Sequence, residues 1–118
     1  MRTSRKDIPA YTTKDGSEIR ELMHPLHHSC HKQSLAEATV KPGCQTRLHR
    51  HQETEELYFM LSGKGTMTLG DKAFQVQAGD TVCIAPGTAH RIENTGQQDL
   101  VILCCCAPPY SHADTELL

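Results

Sequence analysis

Tryptophan is absent from the 118-residue chain, and its other aromatic residues are Tyr11, Tyr58, Phe59, Phe74 and Tyr110. A core built from this sequence must be filled by aliphatic side chains, Met and Cys. No apolar run approaches the roughly 20 residues that cross a bilayer as a helix, so no membrane partner is expected. Neither charge sign dominates, since the formal net charge is -2. The basic footprint of a nucleic-acid binder is missing, and no nucleic-acid partner is expected. The polar start, Met1–Asp7, lacks the apolar stretch of an export signal, which makes the cytoplasm the expected compartment. Among six cysteines there is no Cys-x-x-Cys spacing, which excludes a zinc ribbon and a thioredoxin-type motif. Cys104, Cys105 and Cys106 are consecutive, an arrangement that argues for reduced thiols rather than a disulfide framework.

What the chain does have is a series of short β-prone runs, each ended by Gly or Pro. The expected strands are Glu18–Met23, Ser34–Val40, Gln45–Arg50, Leu57–Ser62, Thr66–Leu69, Ala73–Val76, Thr81–Ile84, Ala89–Glu93 and Leu100–Cys106. The breaks fall at Pro42-Gly43, Gly63-Lys64-Gly65, Gly70-Asp71, Gly79-Asp80, Pro86-Gly87 and Thr95-Gly96. Many short strands at regular spacing predict an all-β sandwich or barrel. The length fits one domain, residues 1–118, with a single core. Its barrel is expected over about residues 34–106, flanked by an N-terminal strand near 18–23 and an extended C-terminal tail, 107–118, that packs loosely or on a partner.

The chemistry concentrates between Gly43 and Gly65. His49 and His51 are two apart, so on a strand both imidazoles project from one face. Glu56 follows where the next strand opens, and a hairpin would carry its carboxylate beside them. His90 is the natural third imidazole, although spacing alone does not bring it to the site. Three imidazoles and a carboxylate suit one divalent transition-metal ion, with Zn, Fe, Mn, Ni, Co and Cu all compatible.

These residues also carry a family resemblance. Gly43, His49, His51, Glu56 and Gly63 match the first cupin motif, G-x5-H-x-H-x4-E-x6-G, at each position. Gly79, Gly87, His90 and Asn94 match the second, with Ala85 standing where that motif has proline and Pro86 directly after it. Glu55 competes with Glu56 for the acidic position; the six residues before Gly63 favour Glu56, and adjacent strand residues cannot share a face. The chain therefore resembles the small single-domain cupins. That resemblance implies a double-stranded β-helix (jelly-roll) barrel with one metal ion on His49, His51, Glu56 and His90. It also implies a homodimer in which the strand near Glu18–Met23 takes part. The implied function is a metal-dependent enzyme acting on a small oxygenated anionic molecule, of dioxygenase or isomerase type. The alternative is a non-catalytic module that binds a small ligand or metal.

Strand alternation adds further candidates. If His49 and His51 point inward, so does Arg47, which could pair with a substrate carboxylate or phosphate. If Glu56 points inward, so do Tyr58 and Met60, and Tyr58 becomes a candidate general acid. The His-rich run His24–His31 is either a second metal site or a solvated loop. Of Cys104–Cys106 at most two thiols can share the pocket side, where they serve as small apolar filling or as a reactive centre.

Overall fold

The computed structural model describes residues 1–118. A 3-10 turn at Arg5–Asp7 precedes eleven strands: β1 (Tyr11–Thr12), β2 (Glu18–Met23), β3 (Ser34–Val40), β4 (His49–His51), β5 (Glu55–Ser62), β6 (Lys64–Leu69), β7 (Lys72–Gln77), β8 (Thr81–Ile84), β9 (His90–Asn94), β10 (Leu100–Ala107) and β11 (Thr115–Leu117). They form two antiparallel sheets, one ordered β1-β2-β3-β10-β5-β8 and the other β11-β4-β9-β6-β7. From β3 onward the chain passes repeatedly between the two sheets, which is the winding of a double-stranded β-helix.

Period-two alternation decides which side chains fill the barrel. On β5, Glu56, Tyr58 and Met60 are buried while Leu57, Phe59 and Leu61 face out. On β10, Leu100, Ile102, Cys104 and Cys106 point inward. Met60, Met67, Ile84, Ile92, Leu100 and Ile102 are almost wholly buried, and Tyr58 is the only aromatic residue in the core. Each such aliphatic side chain contributes about 1.5–3 kcal/mol of transfer free energy when removed from water. Methionine and branched aliphatics thus do the work that larger rings do in other barrels.

The turn between β5 and β6 explains two motif residues. Gly63 has φ +88, and a Cβ there would lie 2.7 Å from the carbonyl oxygen of Asp99, so only glycine fits. Asn94, the single asparagine of the chain, is buried beneath this end of the barrel. Its amide donates to the carbonyls of Val40 and Gln98, and its side-chain oxygen accepts from Gly96 N–H. Its role is to tie the end of β3 to the loop between β9 and β10.

Two segments differ from the sequence-based expectation. The strand expected over Gln45–Arg50 shrinks to His49–His51, with Gln45 joined to Glu93 only by an isolated bridge. Arg47 N–H is diverted out of the ladder to the carbonyl of Asp15, and the alternation resets across Thr46–Leu48. The tail expected to be extended over 107–118 instead returns to the barrel, where β11 pairs with β4 and becomes the edge of the second sheet.

Candidate metal centre

His49 and His51 lie on β4, two residues apart and both buried. β9 runs beside β4 with His90 as the Cα partner of His49, and His90 is fully buried. The three rings converge: their centroids are 4.2 Å apart for His49–His90, 5.2 Å for His49–His51 and 5.4 Å for His51–His90. One ring nitrogen from each lies within 4.8 Å of the others, and no other set of three ligating side chains meets in this way. Glu56 reaches the same point from the opposite sheet. Its Oε1 stands 3.2 Å from His51 Nε2 and 3.6 Å from His90 Nε2. Glu55, its competitor, faces solvent.

Hydrogen bonds on the far side of each ring set the tautomers. His49 Nδ1–H donates to the carbonyl of Arg47 at 2.7 Å, and His90 Nδ1–H donates to that of Thr88 at 2.9 Å. His51 Nδ1 faces Thr115 Oγ1 at 3.0 Å. The Thr115 hydroxyl already donates to the carbonyl of Ser111, so its oxygen accepts and His51 Nδ1 carries the proton. All three rings thereby present an Nε2 lone pair to the centre, the arrangement in which imidazoles serve as metal ligands. Glu56 Oε1 and His90 Nε2 are buried with no hydrogen-bond partner. Buried polar atoms left unpaired cost free energy, and a cation among these lone pairs removes that cost. The donor set fits a divalent metal.

Electrostatics agree with that fit. Burial, then the neighbouring His90, lower the pKa of His49, favouring the neutral ring that a metal needs. Burial pushes the Glu56 carboxyl up, but hydrogen bonds from His51 and His90 outweigh it and hold the pKa at about 2 when, with no metal bound, those rings turn a proton rather than a lone pair toward it. Glu56 Oε2, turned away from the imidazoles, accepts from the thiol of Cys106 at 3.3 Å. Burial first, then the Glu56 charge, raise the pKa of Cys106, and burial does the same for Cys104. Both thiols stay protonated, which leaves no reactive thiolate here.

The remaining candidates separate clearly. Tyr58 lines the cavity beside the imidazoles, as alternation predicts, and burial keeps its hydroxyl protonated far above the usual phenol range. Arg47 does not point inward. Its side chain is exposed and Thr46 is buried in its place, because the strand breaks between Thr46 and His49. Arg47 acts through its backbone, with N–H on the Asp15 carbonyl and C=O on His49. The run His24–His31 forms no metal site. His24 has both ring nitrogens engaged, accepting from Leu26 N–H and donating to the Tyr110 carbonyl, while His28 Nδ1 accepts from His24 N–H.

Two spaces surround the centre. An inner cavity of about 40 Å³ is bounded by His49, His51, Glu56, Tyr58 and Cys106, room for an ion with one or two small groups, given that a water needs about 10–15 Å³ by the same measure. An outer vestibule of about 620 Å³ is lined by His24, His27, His31 and His112 among others. Glu21 and Tyr110 border both spaces, so they stand between the outside and the imidazoles. Neither residue carries a local sequence signal for that position. Thr115 was equally hidden, since it lies 64 residues from the ring it holds.

Comparison with known proteins agrees with this architecture. A Cupin domain family model matches residues 36–106. An uncharacterized protein of Methanocaldococcus jannaschii is 53% identical over 118 residues, covering 100% of this chain and 94% of the relative. An oxalate-binding protein of Thermotoga maritima is 35% identical over 86 residues, 70% of this chain and 71% of its own. The crystal structure of a predicted oxalate decarboxylase from Thermotoga maritima superposes with a TM-score of 0.80 at 25% identity, covering 92% of this chain and 99% of that one. With both histidine-bearing motifs folded into one buried centre inside a double-stranded β-helix, the chain belongs to the cupin family.

Proposed function

We propose that the protein is a metal-dependent cupin enzyme that takes a small oxygenated anion, of the size and charge of a short carboxylate, at a cation held by His49, His51, His90 and Glu56. The observation that carries this reading is the pair of buried, unpartnered atoms Glu56 Oε1 and His90 Nε2, facing Nε2 lone pairs with no proton to share. A divalent ion, when bound, supplies Lewis-acid polarisation of a substrate oxygen and, if redox-active, dioxygen chemistry. The chain's own residues do the rest. Thr115 and the carbonyls of Arg47 and Thr88 hold the imidazoles in register. Cys106 turns the second Glu56 oxygen away from the centre. Tyr58, held protonated, is suited to donate a hydrogen bond or a proton to a substrate oxygen. The apolar barrel wall beneath it, with Ile92 and Ile102, excludes bulk water.

An anion of this class is supported by the oxalate-binding name of the Thermotoga maritima relative and by the limited inner space of about 40 Å³. The reaction type is dioxygenase- or isomerase-like. The same small cavity and the same relative also support a second reading, a module that binds a small anion without turning it over. Oxygen uptake and product formation are measured with the metal-loaded protein and short carboxylates, enediols and hydroxy-carbonyl compounds. Turnover that disappears in His49→Ala supports the enzyme; tight binding with no turnover on any of them replaces it with the binding module.

We further propose a cytoplasmic homodimer. All six cysteines are free thiols, which suits a reducing compartment, and no helix is long and apolar enough to cross a membrane. Leu57, Phe59 and Leu61 project from the outer face of β5, each at least 40% exposed. Leu103 pairs beside Phe59 and Cys105 beside Leu57 on β10, which makes the patch continuous. An apolar sheet face of this kind is characteristic of association. The strand Glu18–Met23, expected to take part in the dimer, pairs with β1 and β3 of its own chain; the apolar face that supports a dimer seam lies on β5 and β10.

A further inference from the structure

Glu56 is not the only carboxylate at the imidazoles. Asp15 sits in the turn between β1 and β2, and its side chain is 14% exposed. Asp15 Oδ1 is saturated: it accepts from the Thr13 hydroxyl at 2.7 Å, from Ser17 N–H at 2.9 Å and from the Ser17 hydroxyl at 2.6 Å. These bonds orient the carboxylate through Oδ1 and leave Oδ2 without a donor from the chain. Arg47 N–H holds the Asp15 carbonyl at 2.8 Å, so the turn is pinned to the segment that leads into His49.

Asp15 Oδ2 lies 3.6 Å from His49 Nε2. The Nδ1 atom of that ring is the one that donates, to the Arg47 carbonyl, so Nε2 meets the carboxylate lone pair to lone pair. Such a confrontation is unfavourable unless positive charge lies between the two atoms. The distance itself is the spacing of two ligands on one ion: bonds of about 2.0–2.2 Å at angles between octahedral and tetrahedral separate the donors by roughly 2.8–3.6 Å. Glu56 Oε1 approaches two imidazoles, 3.2 Å from His51 Nε2 and 3.6 Å from His90 Nε2, whereas Asp15 approaches His49 alone and stands outside the three ring donors that lie within 4.8 Å of one another, so it joins an ion by drawing in from the His49 side. Asp15, His49, His51 and Glu56 border one cavity.

We infer that Asp15 is a fifth protein ligand of the cation, entering beside His49 while Glu56 enters beside His51 and His90. The inference rests on the reading of the centre as a metal site. Two carboxylates balance the charge of a divalent ion, and five protein ligands leave one position on an ion that prefers six. A substrate that chelates through two oxygens must then displace Asp15, whose turn is held by only a few hydrogen bonds, whereas Glu56 is fixed within a sheet.

The test uses the full chain loaded with Co(II), whose visible absorption reports coordination number and donor type. Asp15→Asn keeps an Oδ1 acceptor for Thr13 and Ser17 and removes the charge from the other atom. Ion affinity is measured by chelator competition, and circular dichroism checks the fold. Expected are one ion per chain retained, affinity lower by about 10- to 100-fold, and a changed Co(II) spectrum. Wild-type affinity and spectrum in Asp15→Asn, with ion binding still lost in His49→Ala, overturn the fifth ligand and spare the centre. No ion bound by the wild-type chain overturns both.

Discussion

His49 and His90 face each other directly across the β4–β9 pair, with ring centroids 4.2 Å apart and both side chains buried. Neighbouring strands separate their backbones by about 4.7–4.9 Å, so the two rings cannot move apart without breaking the sheet. A chelate preorganised in this way should lose its ion when either ring is removed. His90→Ala is expected to bring metal content from one ion per chain to near zero, measured by elemental analysis of untagged protein. Unchanged stoichiometry contradicts the assignment of His90.

Thr115 supplies the acceptor that fixes the His51 tautomer. Thr115→Val keeps the shape of the side chain and removes that acceptor. Loss of such an outer partner costs about 10- to 100-fold in metal affinity. The expected result is a weakened ion with the fold intact, read by chelator competition alongside thermal unfolding. Wild-type affinity in this variant would leave His51 oriented by packing alone.

In the metal-free protein, pH acts on stability through two groups at the centre, and in one direction. Burial and His90 hold His49 below its ordinary 6.5, so the unfolded chain takes up that proton first and acidification below 6.5 favours unfolding. Glu56 titrates at about 2 rather than 4.5; its contribution is complete above 4.5 and drains away as pH falls toward 2. Urea unfolding midpoints are therefore expected to decline steadily from pH 7 to pH 3. Glu56→Gln should flatten the portion below 4.5 and leave the upper portion in place. A level profile across this range contradicts both shifts.

Cys106 donates its thiol proton to Glu56 Oε2, which leaves Oε1 directed at the imidazoles. Cys106→Ser retains a donor and Cys106→Ala does not. Metal affinity is expected to fall about 10-fold or more in the alanine variant and to be largely restored in the serine variant. Equal affinities in the two variants would reduce Cys106 to core filling.

Phe59 and Leu57 give the proposed dimer its most direct probe, because their side chains leave the barrel on the face away from the metal centre. Phe59→Glu places a charge in the middle of the apolar patch. Light scattering is expected to give twice the 13.1 kDa chain mass for the parent and one chain mass for the variant. A parent that is monomeric at micromolar concentration contradicts the dimer.

The sequence exposed the centre where strand periodicity alone decides direction. His49 and His51 share a face by a spacing of two, and Glu56, Tyr58 and Met60 follow the same rule on β5. The rule failed at Arg47, because a backbone bond to Asp15 interrupts the ladder and resets its phase. Asp15 and Thr115 escaped notice for a related reason. Each reaches the imidazoles across a long stretch of chain, through a turn or an added strand, and neither the turn residues around Asp15 nor the short apolar content of Thr115–Leu117 marks them locally. The His24–His31 run left two alternatives open: its residue type is suggestive of a metal, but hydrogen bonds engage both ring nitrogens of His24 and one of His28.

The pairing of β11 with β4 has a bearing on biogenesis. A growing polypeptide that has emerged only as far as β9 possesses all three imidazoles of the centre, yet it lacks the central strand β10 and the hydroxyl at residue 115 that orients one ring. If the centre holds an ion as proposed, its uptake is expected to follow closure of the barrel. The identity of that ion would then depend on which metal the compartment offers to the finished protein, more than on the ranking of affinities among competing ions.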